Sequence, residues 1–175
     1  LGPEMKSTGE VMGRDRDLAR ALYKGLLAAG LSLPNFGTVI ATIGDKDKEE
    51  VVPLMRRFHQ LGYRIVATHG TANELEKAGL PVERVNKLKD GSPHILDYIR
   101  QGKVDLVVNT WTRGKTPARD GFRIRREAVE HGIACLTSLD TVAALLVTLE
   151  SITLTADPIS SEPLPKLLRE KGAVG

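Results

Sequence analysis

The stretch GTVIATIGDKDKEEVVPLMRRFHQLGYRIVAT, Gly37 to Thr68, contains two short apolar runs on either side of an amphipathic segment. GTVIATI and YRIVAT are rich in β-branched residues, which predicts two strands. Between them, Val51, Leu54 and Phe58 recur at helical spacing. The stretch is therefore typical of a strand–helix–strand unit, in which the two strands are parallel.

The same alternation continues along the chain. VERVN, VDLVVNT and IACLT predict three further strands, and ANELEKAG, PHILDYIRQG, RIRREAVEHG and LDTVAALLVTLESI predict helices. Pro93 suits the first turn of the PHILDYIRQG helix, and Ser92 suits its cap. The pattern predicts an α/β fold of three layers, with a doubly wound, five-stranded, mainly parallel sheet. Such folds bind ligands outside the carboxyl ends of their strands.

One linker helix is predicted before the sheet, because four apolar residues form a helical stripe: Leu18, Ala21, Leu22 and Leu26. We divide the chain into a leading arm (1–13), this linker helix (14–35), the α/β domain (36–152) and a loosely ordered tail (153–175). The chain begins with Leu, so we expect it to be a piece of a longer protein.

The composition excludes several classes of protein. A net charge of +3 with 4% aromatic residues does not indicate a nucleic-acid-binding surface. The apolar runs are too short to span a membrane, and no signal peptide is visible. A single cysteine, Cys135, cannot form an internal disulfide and is expected to be buried and unreactive. We expect no membrane, no nucleic-acid partner and no metal site.

Polar or basic residues follow every predicted strand. They are Lys48 after the first strand; Thr68, His69, Gly70 and Thr71 after the second; Asn86 and Lys87 after the third; Asn109, Thr110, Trp111, Thr112, Arg113 and Lys115 after the fourth; and Thr137 and Ser138 after the fifth. A glycine between two threonines at a helix start lets a ligand approach backbone N–H groups, and lysines from neighbouring turns can neutralise a dianion. The sequence predicts a phosphate site at this edge.

Each of these features also has a purely structural explanation. Thr71 with Glu74, and Asp47 with Glu50, match the spacing of capping boxes. The basic segment Arg113–Arg126 is either a solvated face or a cover over a ligand. These alternatives remain open at the level of sequence.

Several stretches resemble one known family: GDKDKEEVV, ATHGTANEL, GLPVERVNK, GSPHILDYIRQGKVDLVVNT and DGFRIRREAVEHGIACLTSLDTVAAL. They are similar to the C-terminal allosteric domain of the carbamoyl-phosphate synthase large subunit, which has the methylglyoxal-synthase-like fold. The similarity runs from Gly37 to Ile152, and the leading LGPEMKSTGEVMG resembles the end of that subunit's second ATP-grasp half.

The resemblance implies regulation rather than catalysis by this domain, so no catalytic residue and no cofactor is expected in it. Family members bind UMP, which typically inhibits, or IMP or a phosphoribosyl compound, which can activate. The implied effector-binding residues are Lys48, Thr68, Gly70, Thr71, Lys87, Asn109, Thr110 and Thr112. Thr137 matches a position that helps to hold ornithine. Trp111 replaces a nucleotide-contacting hydroxyl residue; stacking on the ligand and a packing role both remain open.

The resemblance also implies a parent enzyme, a cytoplasmic ligase that uses ATP with Mg or Mn. Its partners would be the ATP-grasp halves of the same subunit and a glutamine-amidotransferase small subunit. The alternative is methylglyoxal synthase, which eliminates phosphate from dihydroxyacetone phosphate and needs a carboxylate base. That enzyme's aspartate and histidine align with Ser92 and Pro117, so the chemistry is expected to be absent although Asp45 is retained.

Overall fold

A computed structural model describes residues 12–31, 33, 37–111 and 114–155. These residues form five strands and six α-helices. The strands are β1 (Thr38–Thr42), β2 (Arg64–Thr68), β3 (Glu83–Val85), β4 (Leu106–Asn109) and β5 (Ala134–Leu136). The helices are α1 (Met12–Ala28), α2 (Lys48–Gln60), α3 (His69–Lys77), α4 (Ile95–Arg100), α5 (Lys115–Glu130) and α6 (Leu139–Thr155).

The strands form one sheet in the order β3-β2-β1-β4-β5, and every neighbouring pair is parallel. The predicted doubly wound sheet is confirmed, and the described strands are all parallel rather than mainly so. Val39 of β1 is in register with Ile65 of β2 and Leu106 of β4. The chain moves outward from β1 to β3 and then crosses to β4, so the order reverses between β1 and β4.

Both faces of the central strand β1 are buried at its three middle residues, which explains the apolar run Val39–Ala41. Val39 and Ala41 point to one face, where they belong to a core that includes residues of α2, α3 and α6. Ile40 points to the other face and packs in a second core with residues of α4 and α5. All three side chains are fully buried.

The predicted linker helix exists as α1, which packs against α6. Its predicted apolar stripe was only half right, because Leu18 is 38% exposed and Ala21 is also exposed. The face toward the core consists of Ala19, Leu22, Tyr23 and Leu26. Small Ala19 lets the helix backbones approach closely, and Tyr23 contributes the apolar body of its ring. The apolar character of Leu18 did not reveal that a different face of α1 is buried.

Helix α4 begins later than predicted, at Ile95, and His94 rather than Ser92 caps it. His94 Nδ1 accepts a hydrogen bond from the Asp97 N–H at 3.4 Å, and the Asp97 carboxylate accepts one from the His94 N–H at 2.9 Å. The N–H bond from His94 is the main cause that lowers the pKa of Asp97. Pro93 therefore precedes the helix instead of occupying its first turn.

Helix α5 begins at Lys115, eight residues before the predicted start at Arg123. Pro117 is compatible with this start because the first turn of a helix does not need its N–H groups. Helix α6 continues to Thr155, so the first three residues of the predicted tail, 153–155, are helical. Residues 1–11 and 156–175, most of the predicted arm and tail, lie outside the described residues, and the domain boundaries stay predictions. Within the described ranges, no helix has the length and hydropathy to cross a bilayer.

Replacing Phe58 by alanine should destabilise the fold by about 3–5 kcal/mol, because the change leaves a cavity. The ring of Phe58 is fully buried, and its centroid lies 5.2 Å from that of Tyr63 in an edge-on contact. Phe122→Ala is the matched control, since Phe122 is 59% exposed and should cost well under 1 kcal/mol. Urea denaturation followed by circular dichroism measures both, and equal losses would contradict the assigned core.

Candidate functional site

A cleft of about 240 Å³ opens where the strand order reverses, at the carboxyl ends of β1 and β4. The last residues of these strands, Thr42 and Asn109, are partners in register, and beyond them the two chains diverge. Such a switch point is where open α/β sheets bind ligands. The cleft is lined by Thr42, Ile43, Asp45, Lys48, Thr68, Gly70, Thr71, Lys87, Leu88, Lys89, Ile95, Asn109, Thr110, Trp111, Thr116, Pro117, Asp120, Gly121, Ile124 and Arg125.

Two threonine hydroxyls hold the loop that follows β1. The Ile43 N–H donates to Thr71 Oγ1 at 3.2 Å, and the Gly44 N–H donates to Thr110 Oγ1 at 2.8 Å. The Thr110 N–H in turn donates to the Thr42 carbonyl at 3.1 Å. Because each hydroxyl oxygen accepts from the backbone, its own proton is left to donate to another group. Both threonines are almost completely buried and line the cleft.

Helix α3 points its first turn at the cleft. Thr68 is the residue before the helix and makes no side-chain cap bond, and the helix begins at His69. The predicted capping box of Thr71 with Glu74 is therefore wrong, since Thr71 lies within the first turn and its hydroxyl bonds to Ile43. The first N–H groups of a helix have no partner within it, and its dipole favours an anion there. This end of α3 therefore suits an anionic group.

The capping box predicted for Asp47 and Glu50 is also wrong. Asp47 stands at the start of α2, but its side chain makes no cap hydrogen bond.

Gly70 allows a cation to approach this helix end. A Cβ atom added at Gly70 would lie 2.7 Å from Lys48 Nζ, too close for the ammonium group to keep its position. Lys48 Nζ donates to Asp45 Oδ1 at 2.5 Å. The hydrogen bond from Lys48 is the main cause that lowers the pKa of Asp45, and the charges of Lys48 and Lys87 add to it. Asp45 is thus ionised at neutral pH and lies beside two cations.

The wall contributed by β4 and α5 contains a chain of three side chains. Asn109 is 6% exposed, and its Oδ1 accepts a hydrogen bond from Arg125 Nη1 at 3.2 Å. The Arg125 guanidinium carbon lies 4.3 Å from the centre of the Trp111 ring, in a cation–π contact. Trp111 is 55% exposed although it lines the cleft, so it stands at the rim.

The structure brings together seven of the eight predicted effector-binding residues: Lys48, Thr68, Gly70, Thr71, Lys87, Asn109 and Thr110. Thr112 lies outside the described residues. Thr137 is half-buried after β5 and is not among the residues that line the cleft.

Sequence reasoning missed Arg125 as a site residue, although it belongs to the basic segment Arg113–Arg126. The described part of that segment belongs mainly to α5, whose inner face covers the cleft, while Arg126 pairs with Glu130. Arg125 lies four residues after Gly121, so the two share a helix face, and this spacing was the available signal. Gly121 also leaves room there, because an added Cβ atom would lie 3.2 Å from Arg125 Nη1.

The remaining reactive groups lie elsewhere. Cys135 on β5 does not line the cleft, and burial raises the pKa of its thiol to about 11, which keeps it protonated at neutral pH. Among the described residues, no group of three or more His, Cys, Asp and Glu side chains could hold a metal ion.

The fold and cleft define a class of protein: an α/β domain with a doubly wound parallel sheet and a lysine-bearing cleft at its switch point. The family model described as the MGS-like domain matches residues 50–137, half of the chain, and the chain belongs to that family.

Methylglyoxal synthase and ForH are among the solved structures that are similar to this chain. Methylglyoxal synthase from Elizabethkingia anophelis NUHP1 is 20% identical, with a TM-score of 0.51, over 65% of this chain and 79% of that one. ForH is 20% identical, with a TM-score of 0.47, over 79% of this chain and 92% of that one. The likeness to the synthase shows the fold alone.

Replacing Thr110 by valine should destabilise the chain by about 1–3 kcal/mol, because the buried Gly44 N–H loses its acceptor. Thr110→Ser keeps the hydroxyl and should recover most of the loss. Hydrogen exchange of the Gly44 amide, measured by NMR, should be faster in the valine variant and near normal in the serine variant. Unchanged protection in Thr110→Val would show that this hydroxyl does not hold the loop.

Proposed function

We propose that this chain is the regulatory, effector-binding domain of a carbamoyl-phosphate synthase large subunit. Its cleft would bind the phosphate of a nucleoside monophosphate such as UMP or IMP, and binding would modulate carbamoyl phosphate synthesis for pyrimidine and arginine biosynthesis. One observation carries the proposal: Lys48 at the start of α2, Lys87 after β3 and the first turn of α3 line the same cleft. The sequence resemblance supplies the identity of the parent enzyme.

The phosphate would lie against the first turn of α3. Its oxygens would accept from the backbone N–H groups around Gly70 and from the hydroxyls of Thr68 and Thr71, while Lys48 and Lys87 supply charge. Hydrogen bonds to charged groups contribute about 1.5–3 kcal/mol each. Four or five of them are enough for roughly micromolar affinity, about 8 kcal/mol, after the entropy of association is subtracted.

Methylglyoxal synthase activity is the alternative, and the residues of the cleft do not favour it. Asp45 is bound to Lys48, and its lowered pKa makes it a weak base. Ser92 is exposed and does not line the cleft, and Pro117 has no proton to transfer. Asp120 is the remaining carboxylate in the cleft, and an activity assay decides its role.

The other components follow from the assignment to this parent enzyme and stay predictions. The parent would use ATP with Mg or Mn, work with a glutamine-amidotransferase small subunit and be located in the cytoplasm. A phosphoribosyl compound is a further candidate effector. Ornithine would contact Thr137, which lies apart from the nucleotide cleft.

Calorimetric titration of the chain with UMP and with IMP tests the effector site. Lys87→Ala should weaken binding about 10- to 100-fold, because one charge-assisted contact is lost. Lys24→Ala removes an exposed lysine that does not line the cleft and should change affinity less than twofold.

Two results would contradict the proposal. The first is failure of the unmodified chain to bind either nucleotide. The second is turnover of dihydroxyacetone phosphate, because it would show that the chain is the alternative enzyme, methylglyoxal synthase.

Helix α1 is the proposed route by which effector binding reaches the ATP-grasp halves. It packs on α6, and Leu22 and Leu26 contact the core that contains residues of α2, α3 and α6. In the intact parent enzyme, replacing both leucines by alanine should weaken the effect of the nucleotide on carbamoyl phosphate synthesis and leave nucleotide binding in place. Steady-state rates and calorimetry measure the two quantities separately, and loss of both together would contradict the route.

A further inference from the structure

We infer that Trp111, backed by Arg125, is a stacking platform for the aromatic base of the ligand. This inference rests on the proposed function and narrows it, because it selects nucleotides over phosphoribosyl compounds that lack a base. Trp111 is the sole tryptophan of the chain, and it lines the cleft while remaining 55% exposed.

Only one face of the indole ring is in contact with Arg125. The guanidinium carbon lies 4.3 Å from the ring centre, a distance at which it covers that face. With one face covered and more than half of the side chain exposed, the open area includes the opposite face. Because Trp111 lines the cleft, this exposed aromatic surface is suited to a ligand with a flat apolar part.

Arg125 is itself held in place beneath the ring. Its Nη1 donates to Asn109 Oδ1 at 3.2 Å, and Asn109 is buried at the end of β4. The indole is therefore supported by a guanidinium that a buried amide anchors. A platform that is already oriented loses less entropy when it binds a ligand.

The platform lies at the correct end of the cleft for a nucleotide. The anion-binding turn of α3 follows β2, whereas Trp111 follows β4, and β1 lies between these strands. Neighbouring strands are about 4.8 Å apart, so the two loops start about 10 Å from each other. In a nucleotide the phosphate and the base lie at opposite ends of the ribose. A phosphate at α3 therefore directs the base toward the β4 loop.

The test compares two ligands that differ by the base. Calorimetry gives the dissociation constants of IMP and UMP and of ribose 5-phosphate, which has the same phosphate and sugar. Stacking of a base on an aromatic side chain should make the nucleotides bind about 5- to 100-fold more tightly than ribose 5-phosphate. Trp111→Leu should reduce this ratio to near one, and Trp111→Phe, which keeps a ring, should preserve most of it.

Phe122→Leu is the matched control, because Phe122 is also an exposed aromatic residue but does not line the cleft. It should leave the ratio unchanged. Binding of ribose 5-phosphate to Trp111→Leu, read in the same series, reports whether the phosphate end of the cleft is still folded. In the unmodified chain, tryptophan fluorescence should change with IMP or UMP more than with ribose 5-phosphate at equal occupancy.

The outcomes separate the two proposals. An unchanged ratio in Trp111→Leu, or equal affinity of the unmodified chain for nucleotide and ribose 5-phosphate, overturns the platform and leaves the phosphate site standing. Failure of every ligand to bind the unmodified chain overturns both.

Discussion

The burial of β1 on both faces is the constraint on which the rest of the structure depends. A strand in the middle of a parallel sheet favours apolar side chains at its interior positions, and Val39, Ile40 and Ala41 of β1 follow this rule. In β1 the polar side chains, Thr38 and Thr42, are therefore confined to the ends of the strand. The crossover from β3 to β4 opens a gap there, because the chains leaving β1 and β4 turn in different directions.

The gap is shaped by hydrogen bonds that join distant parts of the chain. Thr71 and Thr110 accept from consecutive N–H groups after β1, so the first turn of α3 and the loop after β4 are both tied to the loop after β1. The same hydroxyls were predicted to bind an effector. The two roles are compatible, because a hydroxyl that accepts from the backbone still has a proton to donate. In the proposed function, Thr71 and Thr110 would therefore both hold the loop after β1 and contact the effector.

The charges of the cleft suit reversible binding. Lys48 is paired with Asp45, so in the proposed function an incoming phosphate would compete with a carboxylate that is already present. Such an exchange would limit affinity, as suits an effector that must dissociate when its concentration falls. On the opposite wall, Asn109 and Arg125 support an aromatic surface instead of a second pair of lysines. In the proposed function, one end of the cleft recognises charge and the other recognises the base.

The sequence by itself determined the succession of strands and helices along the chain, because apolar runs are local features. It also determined which polar residues follow each strand and so gather at the carboxyl edge of the sheet. Tertiary structure decided the face that α1 buries, the early start of α5 and the failure of both capping boxes. It also decided that Arg125 joins Asn109 and Trp111. The reason is that a hydroxyl or a guanidinium can form hydrogen bonds with several partners, and the tertiary structure decides which of them lies within reach. The Gly44 N–H and Thr110, 66 residues apart, meet only after the sheet has formed.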